Sequence, residues 1–142
     1  MARVLSGFLA DTSALARADK PEVAERLGPL LAEGRVATCT IVALELGRGT
    51  RSPRHHQATL LQVETVYGHV DIGQPTLDRA TEVQAALARR GHHRGVPVAD
   101  LLIAAAAEQA GLAVLHYDAD FDRIARVTRQ PVEWVVPRGS ID

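Results

Sequence analysis

Leu101-Leu102-Ile103-Ala104-Ala105-Ala106-Ala107, a break at Gly111, then Leu112-Ala113-Val114-Leu115-His116-Tyr117 closed by Asp118: this stretch decides the fold. The first run is apolar on every side, and a helix of that kind belongs inside a protein. Gly111 ends it, and the second run is short and apolar, the pattern of a buried strand. A buried helix followed by a buried strand is the unit of a layered α/β protein, and the rest of the chain repeats it. Val4-Leu5-Ser6-Gly7-Phe8-Leu9-Ala10 reads as a strand stopped by Asp11. Pro21 opens a helix with Val23, Leu27, Leu30 and Leu31 at helical spacing, ending near Gly34. Arg35 to Cys39 reads as a second strand, and Thr40 as the cap of a helix carrying Ile41, Leu44 and Glu45. Helices follow from about Pro53 to Tyr67 and from Pro75 towards Gly91, and another begins near Asp118. Pro131 to Val136 is a last strand, placed at an edge by its proline. Short apolar strands alternating with helices predict an α/β fold with a mostly parallel central sheet of four to five strands flanked by helices.

The 142 residues fit one domain, expected to span 1–142, with no repeat or long linker. The 16 Lys+Arg nearly cancel the 17 Asp+Glu, for a net charge of -1, so bulk charge does not hold this protein to nucleic acid, although a local basic face can. Lys20 is the only lysine, which removes mechanisms built on a catalytic lysine, and there is no GxxxxGK[ST] phosphate loop. Cys39 is alone, so neither an intrachain disulfide nor a multi-cysteine zinc site can form. No run approaches the roughly 18 apolar residues of a membrane span, and the first residues lack a signal-peptide pattern; the expected location is cytoplasmic, with no membrane partner.

Parallel sheets gather function beyond the carboxyl ends of their strands. Asp11 follows the first strand directly, and Asp118 follows the Leu112–Tyr117 strand with Asp120 and Asp122 close behind. Asp100 stands at the start of the apolar helix, and Glu45 falls on a helix face otherwise occupied by Ile41, Leu44 and Leu46. Singly, each acid reads as an ordinary helix cap, turn residue or solvent-facing charge. Together on one rim they have an electrostatic consequence. Two carboxylates ~5 Å apart repel by about 3 kcal/mol at an effective dielectric near 20. A group of them must bind a cation or retain protons. An all-oxygen donor set favours a hard ion, Mg²⁺ or Mn²⁺, of the kind that polarises phosphate and activates water.

The ordered set Leu9-Ala10-Asp11-Thr12-Ser13-Ala14, Ile41-Val42-Ala43-Leu44-Glu45-Leu46-Gly47, Val98-Ala99-Asp100-Leu101-Leu102-Ile103-Ala104 and His116-Tyr117-Asp118-Ala119-Asp120-Phe121-Asp122 resembles the PIN-domain ribonucleases, specifically the VapC-type toxins of type II toxin–antitoxin modules. The resemblance covers roughly residues 4 to 137. It implies a PIN-like three-layer fold and a Mg²⁺-dependent endoribonuclease that cuts tRNA, rRNA or other RNA and arrests translation. It further implies a homodimer neutralised by a cognate VapB-type antitoxin. Asp11 and Asp100 would be the principal metal ligands, with Glu45 and Asp118 completing the catalytic pocket. Asp120 would assist or replace Asp118, and Thr12 or Ser13 would position a ligand or water.

A strand of RNA needs cations beside these acids. The candidates are Arg17, Arg48, Arg51 and Arg94, with His116 placed to orient a water or phosphate. Only Phe8, Phe121, Tyr67, Tyr117 and Trp134 are aromatic, too few for a base-stacking sheet. Val136-Pro137-Arg138-Gly139-Ser140 has the look of a protease-cleavage linker, but it continues the last strand and reads as native chain. Two other classes compete with the nuclease. One is a catalytically silent PIN-like binding module acting through a protein partner; Mg²⁺-dependent cleavage of cellular RNA separates it from an enzyme. The other is a receiver-type phosphoacceptor domain, which needs a lysine on a late strand where this chain has none.

Overall fold

The computed structural model describes residues 7–142. Strand β1 (Phe8–Ala10) leads into helices α1 (Thr12–Leu15) and α2 (Pro21–Ala32), and β2 (Val36–Thr38) into α3 (Thr40–Arg48) and α4 (Pro53–Val66). The two-residue β3 (Gly68–His69) precedes α5 (Gln74–Arg89), a 3-10 turn (His93–Gly95) and α6 (Val98–Ala110). Strand β4 (Ala113–His116), helix α7 (Asp120–Thr128) and β5 (Val132–Trp134) complete the order. All strand pairings are parallel, in the spatial order β3-β2-β1-β4-β5. Successive residues of a strand point to opposite faces. Phe8, Leu9 and Ala10 are nevertheless all buried, as are Val114, Leu115 and His116, so helices cover both faces at the centre of the sheet. This is the three-layer α/β arrangement that the sequence predicts, with every strand parallel.

The strand order creates the site. From β1 the chain moves outward to β2 and β3, then returns to lay β4 on the other side of β1. Leu9 pairs with Val114 and Ala10 with Leu115, so the carboxyl ends of β1 and β4 open side by side where the winding direction reverses. Crevices at such switch points are where open α/β sheets take ligands. Helix α6 packs against β1, β4, α5 and α7, and Ala104 to Ala107 are all buried. Their small side chains let the helix axis approach its neighbours closely. Gly111 then leaves the helix in the left-handed region, φ +71°, a conformation that costs little only without a Cβ.

Several elements differ from the sequence reading for local reasons. The described part of the first strand is Phe8–Ala10; Val4 to Ser6 lie outside the described residues. Thr40 is the first residue of α3 rather than its cap, which is Cys39 without a side-chain hydrogen bond. Helix α7 starts at Asp120, not Asp118, because the Asp118 carboxylate accepts the Asp120 N–H (2.9 Å) in a turn ahead of the helix. Strand β3 carries two exposed residues and no apolar pattern, so nothing in its sequence announces it. Strand β5 is an edge strand, in keeping with Pro131 before it.

Candidate active site

Asp11 leaves β1 and caps α1. Its Oδ2 accepts the Ser13 N–H (2.9 Å) and the Ser13 hydroxyl (2.6 Å), while Oδ1 is buried without a partner. The Ser13 hydroxyl in turn accepts the Tyr117 N–H (2.8 Å), which staples the end of β1 to the end of β4. Asp11 is only 3 % exposed, and burial raises its carboxyl above the usual range despite the hydrogen bonds from Ser13. The Thr12 hydroxyl donates to Glu45 Oε1 (2.5 Å) and draws α3 towards the same rim. Glu45 itself is exposed and neighbouring Leu44 is 64 % exposed, while Ile41 and Leu46 pack partly against the core, so the helix face expected to be apolar divides between core and solvent.

Asp100 sits in the first turn of α6, 6 % exposed, with Oδ2 buried and unpartnered. One carboxylate oxygen from each of Asp100, Asp118 and Asp120 lies within 4.8 Å of the others. Burial first, and then the charges of Asp11, Asp118, Asp120 and Glu45, push the Asp100 carboxyl up to about 8. Asp120 is also raised, by burial and by Asp118, against the opposing Arg123 guanidinium at 3.4 Å. Among the described residues no basic side chain pairs with Asp11, Asp100 or Asp118. The acid group, with orphaned buried oxygens on Asp11 and Asp100, fits a hard divalent cation: oxygen donors only, and negative charge of which Arg123 offsets only the part on Asp120.

Of the three acids after β4, Asp118 and Asp120 face Asp100, while Asp122 turns away and accepts the Trp134 indole N–H (3.1 Å). His116, expected at an RNA surface, is instead fully buried at 0 % exposure between the rings of Phe121 and Trp134, 5.1 and 4.9 Å away. Its Nδ1 accepts the Asp118 N–H (3.1 Å), which places the ring proton on Nε2, 3.9 Å from Asp122 Oδ1. Burial lowers its pKa to about 4, so the ring is neutral near pH 7 and acts on the site only through the Asp118 backbone.

The arginines divide in two groups. Arg17 stands beside the site, donating to the Ser13 carbonyl (2.8 Å) and the Asp142 main-chain oxygen (2.9 Å) with its guanidinium 4.9 Å over the Tyr117 ring. Arg48 and Arg51 are exposed around the end of α3, and Arg94 is exposed in the 3-10 turn before α6; none is ion-paired among the described residues. The sequence reading missed two contributions here: Tyr117, whose hydroxyl anchors residues 139 to 141, and Trp134, which fixes Asp122. An aromatic at the carboxyl end of a strand is the only signal either one offers.

Comparison with known proteins identifies the family. The PIN domain family model matches residues 8–127. Ribonuclease VapC21 of Mycobacterium tuberculosis is 45% identical over 133 residues, covering 94% of this chain and 96% of the relative. Ribonuclease VapC18 of the same organism is 41% identical over 136 residues, covering 94% and 98%. Among solved structures, the DNA-bound VapBC of Salmonella typhimurium superposes with a TM-score of 0.77 at 22% identity, covering 92% of this chain and 99% of that one. VapBC2 of Rickettsia felis, bound to a promoter DNA fragment, gives 0.74 at 20% identity, covering 89% and 96%. At those identities the structures speak for the fold. The sequence relatives carry the assignment: this chain belongs to the PIN-domain family, among the VapC ribonucleases.

Proposed function

We propose that the acid-lined crevice between β1 and β4 hydrolyses phosphodiester bonds of RNA with a bound Mg²⁺ ion, Mn²⁺ serving as a substitute, and that the protein is the toxin of a type II toxin–antitoxin module whose RNA cleavage inhibits translation. The observation that carries this reading is the convergence of one carboxylate oxygen from each of Asp100, Asp118 and Asp120 within 4.8 Å, with buried, unpartnered oxygens on Asp100 and on Asp11 at the end of β1. Asp11 and Asp100 would hold the ion, with Asp118 and Asp120 completing its oxygen surroundings directly or through water. When bound, the ion supplies charge stabilisation at the phosphate and acidifies water. Ser13 fixes the Asp11 carboxylate, leaving one oxygen free, and Thr12 fixes Glu45. Glu45 is the exposed carboxylate of the set and would accept a proton from an attacking water. His116 holds the Asp118 turn in place from beneath.

The remaining parts of the reading concern partners. A VapB-type antitoxin is the expected protein partner, supported by fold neighbours that are VapBC complexes. An RNA substrate, a homodimer and a cytoplasmic location complete it. Incubation of the purified protein with RNA in Mg²⁺ or in EDTA tests the catalytic claim. Cleavage is expected only with the cation and is expected to fall at least ~100-fold in Asp11→Asn and in Asp100→Asn, each retaining the wild-type circular dichroism spectrum. Undiminished cleavage by both variants overturns it.

A further inference from the structure

A groove of about 560 Å³ adjoins the acid cluster, lined by Ser13, Arg17, Tyr117, Asp118, Trp134 and Arg138 among others. Its floor is an aromatic pair: Tyr117 meets Trp134 edge-on, with ring centroids 5.3 Å apart. Each ring carries a guanidinium, Arg17 at 4.9 Å over Tyr117 and Arg138 at 5.4 Å over Trp134. Cation–π contact of this kind holds a long flexible side chain in place without neutralising it. Among the described residues neither arginine pairs with a side-chain carboxylate, although Arg17 donates to the Ser13 carbonyl and the Asp142 main-chain oxygen, whereas Arg123 already pairs with Asp120.

The chain segment bearing Arg138 is built to display it. The Ser140 N–H bonds the Pro137 carbonyl (3.0 Å), and Gly139 follows Arg138 with φ +81°, which makes 137–140 a type II turn with Arg138 at its first corner. The Tyr117 hydroxyl accepts the N–H groups of Gly139 (3.0 Å) and Ile141 (3.2 Å) and donates to the Ile141 carbonyl (2.7 Å). Tyr117 is thus the floor of the groove and the anchor of the turn, and it directly precedes Asp118.

A polyanion cannot approach a cluster of carboxylates unless cations receive its neighbouring phosphates. The geometry points to the Arg17–Arg138 groove as a phosphate clamp that seats the RNA backbone beside the acid cluster, with Trp134 beneath it. This inference rests on the ribonuclease reading for its ligand, a single-stranded polyribonucleotide. The Arg138 guanidinium fork matches phosphate oxygens two at a time once it leaves the Trp134 face, while Arg17, held by the Ser13 carbonyl and the Asp142 main-chain oxygen, offers its remaining N–H groups.

Trp134 is the only tryptophan, so its fluorescence reports on the groove directly. The test uses the full chain carrying Asp100→Asn to prevent turnover, titrated with a dye-labelled single-stranded RNA oligonucleotide at several salt concentrations. Anisotropy follows binding, and Trp134 emission follows the groove. In this background Arg138→Ala is expected to weaken binding about 10-fold and to flatten the slope of log K against log salt by roughly 0.7, the value for one phosphate contact on a single strand. Arg17→Ala moves both quantities in the same direction. Arg126→Ala, in the last turn of α7, leaves them unchanged. RNA changes Trp134 emission in the parent and not in the Arg138→Ala chain. Binding and salt slope unaltered by Arg138→Ala, with Trp134 silent, overturn the clamp even when the wild-type protein cleaves RNA. Groove-dependent binding by a chain whose wild type never cleaves RNA supports the clamp and removes the catalytic reading instead.

Discussion

Asp100 shows how one side chain records the demands on its site. Its carboxyl is buried among four other acids and is pushed up to about 8, so without a cation it retains its proton near pH 7. Asp100→Asn keeps the shape and removes the charge conflict. The variant is expected to melt at a higher temperature than wild type in EDTA at pH 8, while losing Mg²⁺-dependent stabilisation and RNA cleavage; differential scanning fluorimetry with and without the cation reads both. His116 makes the complementary case. Nothing about a histidine at a strand end separates a surface role from a buried one, and only the packing of Phe121 and Trp134 around it decides. His116→Ala is expected to cost about 3 kcal/mol of stability, the range for deleting a buried ring. His116→Asn, which restores an acceptor for the Asp118 N–H, is expected to recover part of the Mg²⁺ affinity lost in the alanine variant. Isothermal titration calorimetry with Mg²⁺ checks that recovery.

Helix α6 is the element on which the site depends, because it carries Asp100 and fills the space against β1, β4, α5 and α7. Its alanines are a packing requirement, not an accident of composition. Ala106, 1 % exposed, has no room for a larger side chain, and Ala106→Leu is expected to destabilise by about 1–3 kcal/mol in chemical denaturation. Gly111→Ala meets no steric neighbour but keeps the left-handed backbone, so it is expected to cost about 1–2 kcal/mol. The apolar run from Leu101 to Ala107 made the burial of α6 legible in the sequence, and the acids at the ends of β1 and β4 were legible as strand stops. The orientation of Asp122 was not. It depends on Trp134, twelve residues away on β5, while Asp122 lies on α7.

For the whole molecule, the buried titratable groups set an unusual response to pH. Between 3.8 and about 8 the folded chain retains a proton on Asp100 that the unfolded chain releases, so this group makes stability fall as pH rises through that window. His116 acts in the opposite sense between about 4 and 6.5, where the unfolded chain is protonated and the folded ring is neutral. The two oppose each other up to 6.5. Above it the carboxyl dominates, and the melting temperature in EDTA is expected to decline from pH 6.5 to 8. Millimolar Mg²⁺ is expected to raise it, by more at pH 8 than at 6.5, since ligands must be deprotonated to bind. A flat profile in EDTA would mean that the acids at the sheet's carboxyl edge do not interact as their placement implies.

The sequence by itself determined the layered α/β class, the depth of α6 and the positions of Asp11, Asp100 and Asp118 at element ends, because apolar periodicity and strand-stopping acids are local signals. Tertiary structure decided the rest. Whether two strand ends are neighbours depends on the strand order, and whether a side chain faces a crevice or a core depends on packing between residues far apart in the chain. That is why Asp118 and Asp120 turn to Asp100 while Asp122 does not, why His116 lies under the site, and why Arg17 and Arg138 each lie over one ring of the Tyr117–Trp134 pair.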